Sequence, residues 1–394
     1  MDYKFKSVTH PHSSWQRFKN HNRLFDFKRG WVDGELLFII LTLVCLGSII
    51  GFSGHYHFSA QRSRAGMDLY YFVTRQLMWT GLGLFAMVFF IFLSLPLLKH
   101  ITPSLWILTV VLNILPLVQS GNNIRGSSRW LFIGSLSFQP SELAKIVILL
   151  YLARILGRNK KEYDHTVSGV LNPALMTAIL GFIVYLQNDL STTLFLFLTT
   201  IGIFFVAQVP FRYLFIEIAL VVGVGLTAIL FTPFRLARIQ TWLANSQADV
   251  WGIGRQPIMA RRAVEAGGFF GTGLGAGTYK LGFISLIQSD YIFAVVAEEL
   301  GFIGIIFVLG LFMLFMIKAY IISQKCPTRY EQILSVGVGL IITGQALLNI
   351  TVISGLFPVT GVALPFFSAG GSSIFITLCF CGLLLNLSRG RSIS

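Results

Sequence analysis

Acidic side chains are scarce in this sequence, 16 of 394 residues, and charge of either sign is thin: only 12% of the chain is Asp, Glu, Lys or Arg. A soluble domain carries about a quarter, so this chain cannot clothe an ordinary globular surface. Four scattered cysteines, Cys45, Cys326, Cys379 and Cys381, give no disulfide framework. Cys379 and Cys381 stand two apart in an apolar run, on different faces of a helix, which argues against a metal site. No cleavable leader is expected, since residues 1–33 are polar and basic without a short apolar core or small-residue cleavage site.

What the chain has instead is apolar length. Apolar residues make up 55% of it, and the mean hydropathy is +0.74. Ten runs long enough for a bilayer stand at roughly 35–54, 74–95, 101–119, 141–157, 168–187, 190–208, 212–231, 291–318, 332–354 and 366–387. The expectation is an all-α polytopic membrane protein with one membrane domain over 34–388. A basic tail (1–33) precedes it, a short one (389–394) follows, and a long loop (232–290) separates the seventh and eighth spans.

The net charge of +14 raises the question of nucleic acid, and its distribution answers it. With ten spans, 18 Lys and Arg fall on the side of the N-terminus and four in the short loops of the other side. By the positive-inside rule both termini are cytoplasmic. The basic excess is therefore a topology signal, and no nucleic-acid partner is expected.

Two connections are long, about 120–140 and 232–290, and both are expected to face outward. Long loops between packed elements usually carry function. In the first, Pro140 or Ser141 suits a helix start. Glu142 and Lys145 then share a helix face and can pair, either as a structural ion pair or as part of a headgroup site. Arg125, Arg129 and Trp130 suit a phosphate beside a lipid tail at the membrane boundary. The second loop holds Arg238 and a glycine-rich run from Gly267 to Gly277. Residues 271–276 meet only a degenerate dinucleotide fingerprint, and no strand precedes them, so that reading is rejected. Tight turns and close backbone approach explain the glycines better.

The segment from Asp290 to Glu298 and Glu299 sets three carboxylates at the head of an apolar run. Ionisable groups inside a span are costly and mark functional paths. On a continuous helix the two glutamates would lie roughly 12–14 Å below Asp290. Asp290 is thus a candidate catalytic group at the surface, with the glutamates as deeper supports. The bland alternative is an Asp complementing a helix N-terminus.

Together these motifs resemble the SEDS family (shape, elongation, division and sporulation). The resemblance rests on Arg129-Trp130 with Gln139-Pro140-Ser141-Glu142-Leu-Ala-Lys145, on Gly267 to Gly275 followed by Asp290 to Gly301, and on Pro358 to Ser373. It spans about 35–390 with the motifs in order, and it implies ten transmembrane helices. It further implies a peptidoglycan glycosyltransferase that polymerises lipid II on the outer face of the bacterial cytoplasmic membrane. The essential family aspartate maps onto Asp290, and the family's Glu–Lys ion pair onto Glu142 and Lys145. One departure stands out: the family's His near the aspartate is replaced in Gln288-Ser289-Asp290. A basic N-terminal extension and the spacing from Gly275 to Asp290 favour the division-type (FtsW-like) branch, acting at the septum, over the elongation-type (RodA-like) branch. The implied partner is a class B penicillin-binding transpeptidase within the division or elongation complex.

Glycan polymerisation displaces a lipid pyrophosphate from an anomeric carbon by a sugar hydroxyl. It needs a base at the hydroxyl and positive charge at the leaving group. Asp290 is the candidate base, acting with inversion. Arg129, Lys145 and Arg238 are candidates for the pyrophosphate, supported by Trp130, Glu142 and Glu298. Ser368, Gly370, Gly371 and Ser372 complete the candidate binding set. A divalent cation, Mg2+ or Mn2+, is compatible with this chemistry although no ligand motif is present. The alternatives are a lipid II flippase, which needs a continuous polar path across the membrane, and an inactive scaffold. The gathering of polar candidates on one face favours the enzyme.

Overall fold

The structure is a computed structural model that describes residues 24–26, 30–63, 71–119, 128–133, 136–158, 167–243, 254–280 and 290–389. Arg125, Gln288 and Ser289 lie outside the described residues. Twelve helices and one small hairpin occur among those described. In chain order they are α1 (Gly34–Ser63), α2 (Tyr71–Phe92), α3 (Leu95–Val118), β1 (Leu131–Ile133), β2 (Leu136–Phe138), α4 (Pro140–Leu156), α5 (Val167–Leu186) and α6 (Leu190–Val206). They continue with α7 (Phe211–Leu230), α8 (Pro233–Leu243), α9 (Arg255–Gly267), α10 (Ile292–Gln324), α11 (Arg329–Ile353) and α12 (Gly371–Ser388). The two strands pair antiparallel, Leu131 opposite Phe138, and the other elements named among the described residues are helices.

Among the described residues seven helices, α1, α2, α3, α7, α10, α11 and α12, are long and apolar enough to cross a membrane. The expected ten spans are corrected to seven clear ones. The reason is length and charge. At 17 residues α4 and α6 reach about 26 Å, short of a hydrocarbon core of about 30 Å. Glu142, Lys145 and Arg154 also interrupt α4. In α5 the described apolar stretch is limited to Leu171–Leu186.

α12 is buried along nearly its whole length, and its main neighbour is α2. Small residues make that approach close, as membrane helices require: a Cβ on Gly382 would stand 2.8 Å from Phe90 Cβ. α10 packs on α11, α9 and α1, while α11 also meets α4 and α6. α7 sits at the edge, with Phe211, Phe215 and Leu230 all well exposed, as suits a face turned to lipid.

The long apolar run after Asp290 is not one continuous helix. Gly301 interrupts α10 with φ 65° and ψ −162°, a conformation open essentially only to glycine. Such a break strands backbone groups that must find partners inside a membrane. The glycine-rich segment after α9 supplies them. Glu298 O accepts from Thr272 N at 2.9 Å and Glu299 O from Gly273 N at 3.1 Å, while Phe302 N donates to Gly268 O at 3.0 Å and Ile303 N to Phe269 O at 3.3 Å. Gly271 is indispensable here because a Cβ would collide with Glu299 O and Gly301 N. The glycine run is therefore a backbone splice for a broken helix.

Residues 24–26, 92–94 and 388–389 gather at one end of the bundle. Ser94 N donates to Leu24 O at 3.0 Å, Asp33 N to Ser388 Oγ at 3.0 Å and Arg389 Nη1 to Ile91 O at 2.7 Å. α3 carries the chain from that end to Asn113, about 27 Å away by helix rise, where it meets the start of α4.

Candidate functional site

A cavity of about 310 Å³ opens at this far end of the bundle, between the starts of α4, α6, α10 and α12 and the segment that follows α11. Each wall has a local cause. Pro140 stands in the first turn of α4, where its missing N–H costs nothing, and Asn113 Nδ2 donates to its carbonyl at 3.3 Å. Glu142 and Lys145 follow on one face, 7% and 4% exposed. Their side chains pair at 2.9 Å. Lys145 Nζ also donates to Gln345 Oε1 at 2.8 Å and lies 5.5 Å from the Phe195 ring. A buried ammonium survives only with such partners.

Asp189 caps α6 and does more than cap. Its Oδ1 accepts from Thr192 N at 3.1 Å, while Oδ2 accepts from Thr192 Oγ1 at 2.9 Å and Gln139 Nε2 at 3.0 Å. The same oxygen faces Arg129 Nη1 at 3.6 Å. Arg129 is more than a third exposed, so its guanidinium can meet a polar ligand as well as Asp189, while its Nε is buried with no partner among the described residues.

Asp290 immediately precedes α10 and lines the same cavity. Asn349 Nδ2 on α11 holds it by donating to Asp290 O at 2.9 Å and to Val362 O at 2.7 Å. One turn earlier Gln345 Nε2 donates to Ala363 O at 2.7 Å. Gly361, at φ 75°, lies against the aspartate: a Cβ there would stand 3.4 Å from Asp290 Oδ2. Gln139 N donates to Ser372 Oγ at 3.0 Å, tying the start of α12 to that of α4.

The cavity thus brings together Arg129, Trp130, Glu142, Lys145, Asp290, Gly370 and Ser372. Five other sequence candidates among the described residues stand apart. Glu298 Oε1 accepts from the backbone N–H groups of Thr278 and Tyr279, the latter at 3.1 Å, so it holds the glycine splice. Beside it Glu299 binds Lys280 and Ser53, each at 2.6 Å. Ser368 Oγ accepts from Leu364 N at 2.7 Å within its own turn. Gly371 faces Trp79 and gives room for helix packing. Arg238 lines a neighbouring cavity and donates to Val359 O at 3.1 Å. Burial lowers its pKa, while Tyr291 and Asp290 raise it, so it lies within electrostatic reach of the aspartate.

Asp189, Gln345 and Asn349 were not among the sequence candidates, and Gln139 and Gly361 entered only as members of the motifs that carry the resemblance. The usable signal was Gln345 and Asn349 themselves, two amides one turn apart in an apolar helix. Among the described residues no group of three or more His, Cys, Asp or Glu is arranged to hold a metal.

Residues 34–393 match the FtsW/RodA/SpoVE family profile, described as "Cell cycle protein". The chain belongs to the SEDS family. This SEDS protein is similar to stage V sporulation protein E of Bacillus subtilis, 35% identical over 359 residues that cover 90% of this chain and 97% of that one. It is also similar to a probable peptidoglycan glycosyltransferase FtsW of Borreliella burgdorferi, 34% identical over 358 residues, with 90% and 96% covered. Two solved structures share the SEDS fold. One is described as "Structural coordination of polymerization and crosslinking by a peptidoglycan synthase complex", with TM-score 0.73 and 29% identity over 92% of this chain and 99% of that one. The other is the rod shape determining protein RodA of Thermus thermophilus, with TM-score 0.66 and 28% identity over 92% and 98%. FtsW, stage V sporulation and rod shape determining proteins all stand among these relatives, so membership does not separate the branches.

Proposed function

We propose that this SEDS protein is a peptidoglycan glycosyltransferase that polymerises lipid II at the outer face of the bacterial cytoplasmic membrane. The observation that carries the reading is a single cavity holding the Asp290 carboxylate together with Arg129 and the Glu142–Lys145 pair. In this reading the acceptor sugar hydroxyl attacks the anomeric carbon of the donor. The C–O bond to the donor pyrophosphate breaks as the new glycosidic bond forms. The hydroxyl proton passes to Asp290, and the departing pyrophosphate meets Arg129 and Lys145. Asp290 is short and anchored through its own backbone by Asn349, which suits a base that must be held in place. A divalent cation, Mg2+ or Mn2+, would sit with the substrate's phosphates, and chelation during turnover tests for it.

The basic N-terminal stretch favours a septal, division-type role with both termini cytoplasmic, and a class B penicillin-binding transpeptidase as partner. One relative's description as part of a peptidoglycan synthase complex supports a partner of that kind. The test is labelled lipid II supplied to the purified protein with such a partner, its transpeptidase site blocked. Glycan ladders on a gel support the polymerase. Lipid II crossing liposomes with no ladder would replace it by a flippase.

A further inference from the structure

Away from the Asp290 cavity, two glutamates and a lysine leave a buried charge unbalanced. Glu298 and Glu299 are 0% and 1% exposed, and Lys280 is 7% exposed. Lys280 Nζ donates to Glu299 Oε1 at 2.6 Å, to Ser53 Oγ at 2.7 Å and to Gly275 O at 2.7 Å. An ammonium has three donors, so none is left over, and its charge is matched by Glu299. Among the described residues Glu298 meets neutral donors instead, all on Oε1. They are Thr278 N, Thr278 Oγ1 at 3.2 Å and Tyr279 N at 3.1 Å. One negative charge remains without a counter-charge, in a buried place where that is strongly unfavourable.

The second oxygen of each carboxylate, Glu298 Oε2 and Glu299 Oε2, is buried with no hydrogen-bond partner among the described residues. A proton on either oxygen would become a donor with nothing to accept it. A metal ion needs only the lone pairs. Gly277 supplies room for one: a Cβ there would stand 2.9 Å from Glu298 Oε2 and 3.3 Å from Glu299 Cγ. Gly277 is not among the positive-φ glycines, so its backbone does not itself require glycine. The helix adds to the negative potential. Both glutamates stand just before the break at Gly301, at the C-terminal end of a half-helix, where the dipole favours positive charge. Broken membrane helices hold small cations at such ends.

We propose that Glu298 and Glu299 bind one monovalent metal cation, Na+, beside Gly277. The charge selects the valence, because one positive charge neutralises the cluster and a divalent ion would overshoot it. The donors select the class, because carboxylate oxygens suit a hard cation. The bound ion ties the glycine-rich segment to the first half of α10, the stretch that begins directly after Asp290. Through Glu299 and Ser53 it also reaches α1. The site stands apart from the substrate cavity and holds whether or not the protein polymerises lipid II.

The experiment measures Na+ directly. Full-length protein in lipid nanodiscs is equilibrated with radioactive Na+ in choline chloride at constant ionic strength, and the bound isotope is counted. Saturable binding of one equivalent is expected. Glu298→Gln keeps an oxygen for the Thr278 and Tyr279 N–H groups and removes the surplus charge, so it should weaken Na+ binding about tenfold or more. Gly277→Ala keeps both carboxylates and fills the space beside Glu298 Oε2, and it should weaken binding by a similar factor. Melting temperatures in choline chloride establish that each variant is folded. No saturable Na+ binding by the native protein, or native affinity in either folded variant, overturns the proposal. The assay contains no lipid II, so its failure and a failed polymerisation assay are separate results.

Discussion

Asn349 donates its side-chain amide to the carbonyl oxygen of Asp290 at 2.9 Å, and the same nitrogen donates to Val362 O at 2.7 Å. One buried amide on α11 thus fixes the aspartate relative to the segment that walls the cavity. Asn349→Ala leaves two carbonyl oxygens in need of donors, at about 1–3 kcal/mol. It should also lower kcat by about a hundredfold, because small misplacements of a catalytic group are expensive. Steady-state polymerisation of labelled lipid II beside thermal unfolding checks both. Unchanged kcat in folded protein would remove Asn349 from the positioning role.

The Glu142–Lys145 pair separates stability from activity. Glu142→Gln leaves the buried Lys145 ammonium without its carboxylate, and about 3–5 kcal/mol of destabilisation is expected. Glu142→Gln/Lys145→Met removes both charges and should recover most of that loss. Polymerisation should stay lost in the double variant, since the cation is gone. A stable, active double variant would make the pair purely structural.

Gly301→Ala should destabilise the protein by about 3 kcal/mol or more, from a backbone conformation reserved for glycine and a collision with the strip 269–271. Thermal unfolding in detergent reads it directly. A melting temperature equal to the parent's would mean that α10 is not broken there.

Glu298 distinguishes a structural from a substrate role. Glu298→Ala leaves the N–H groups of Thr278 and Tyr279 without their acceptor, at about 1–3 kcal/mol each, whereas Glu298→Gln keeps an oxygen in place. The expected result is a lowered melting temperature for the alanine variant, a small change for glutamine, and an unchanged KM for lipid II in both. A raised KM in stable glutamine protein would return Glu298 to the binding site.

Much of the helical architecture was legible in the sequence because each long apolar run demands a helix in a bilayer. The number of clear spans was not. Runs such as 141–157 read as apolar even with Glu142, Lys145 and Arg154 among them. The break at Gly301 was hidden for a similar reason, since a glycine inside an apolar run looks like helix packing. Its partner, the glycine run at 267–273, lies some thirty residues earlier, and only folding brings the two together. Arg129, Glu142, Lys145 and Asp290 were found because charge in a membrane protein is conspicuous, whereas Asp189, in a short turn between two apolar runs, was passed over. Gln345 and Asn349 passed unnoticed because amides are cheaper than charges, although their one-turn spacing aims both at the same loop.

In the proposed polymerase Asp290 takes the proton of the attacking hydroxyl. Asp290→Asn keeps the size and the backbone anchor to Asn349 and removes only the basic oxygen. The measurement is the rate of glycan ladder formation from labelled lipid II by this variant with its transpeptidase partner, beside native protein of equal melting temperature and equal lipid II binding. Ladders are expected from the native protein and none from the variant. Ladders of normal length and rate from Asp290→Asn would contradict that role.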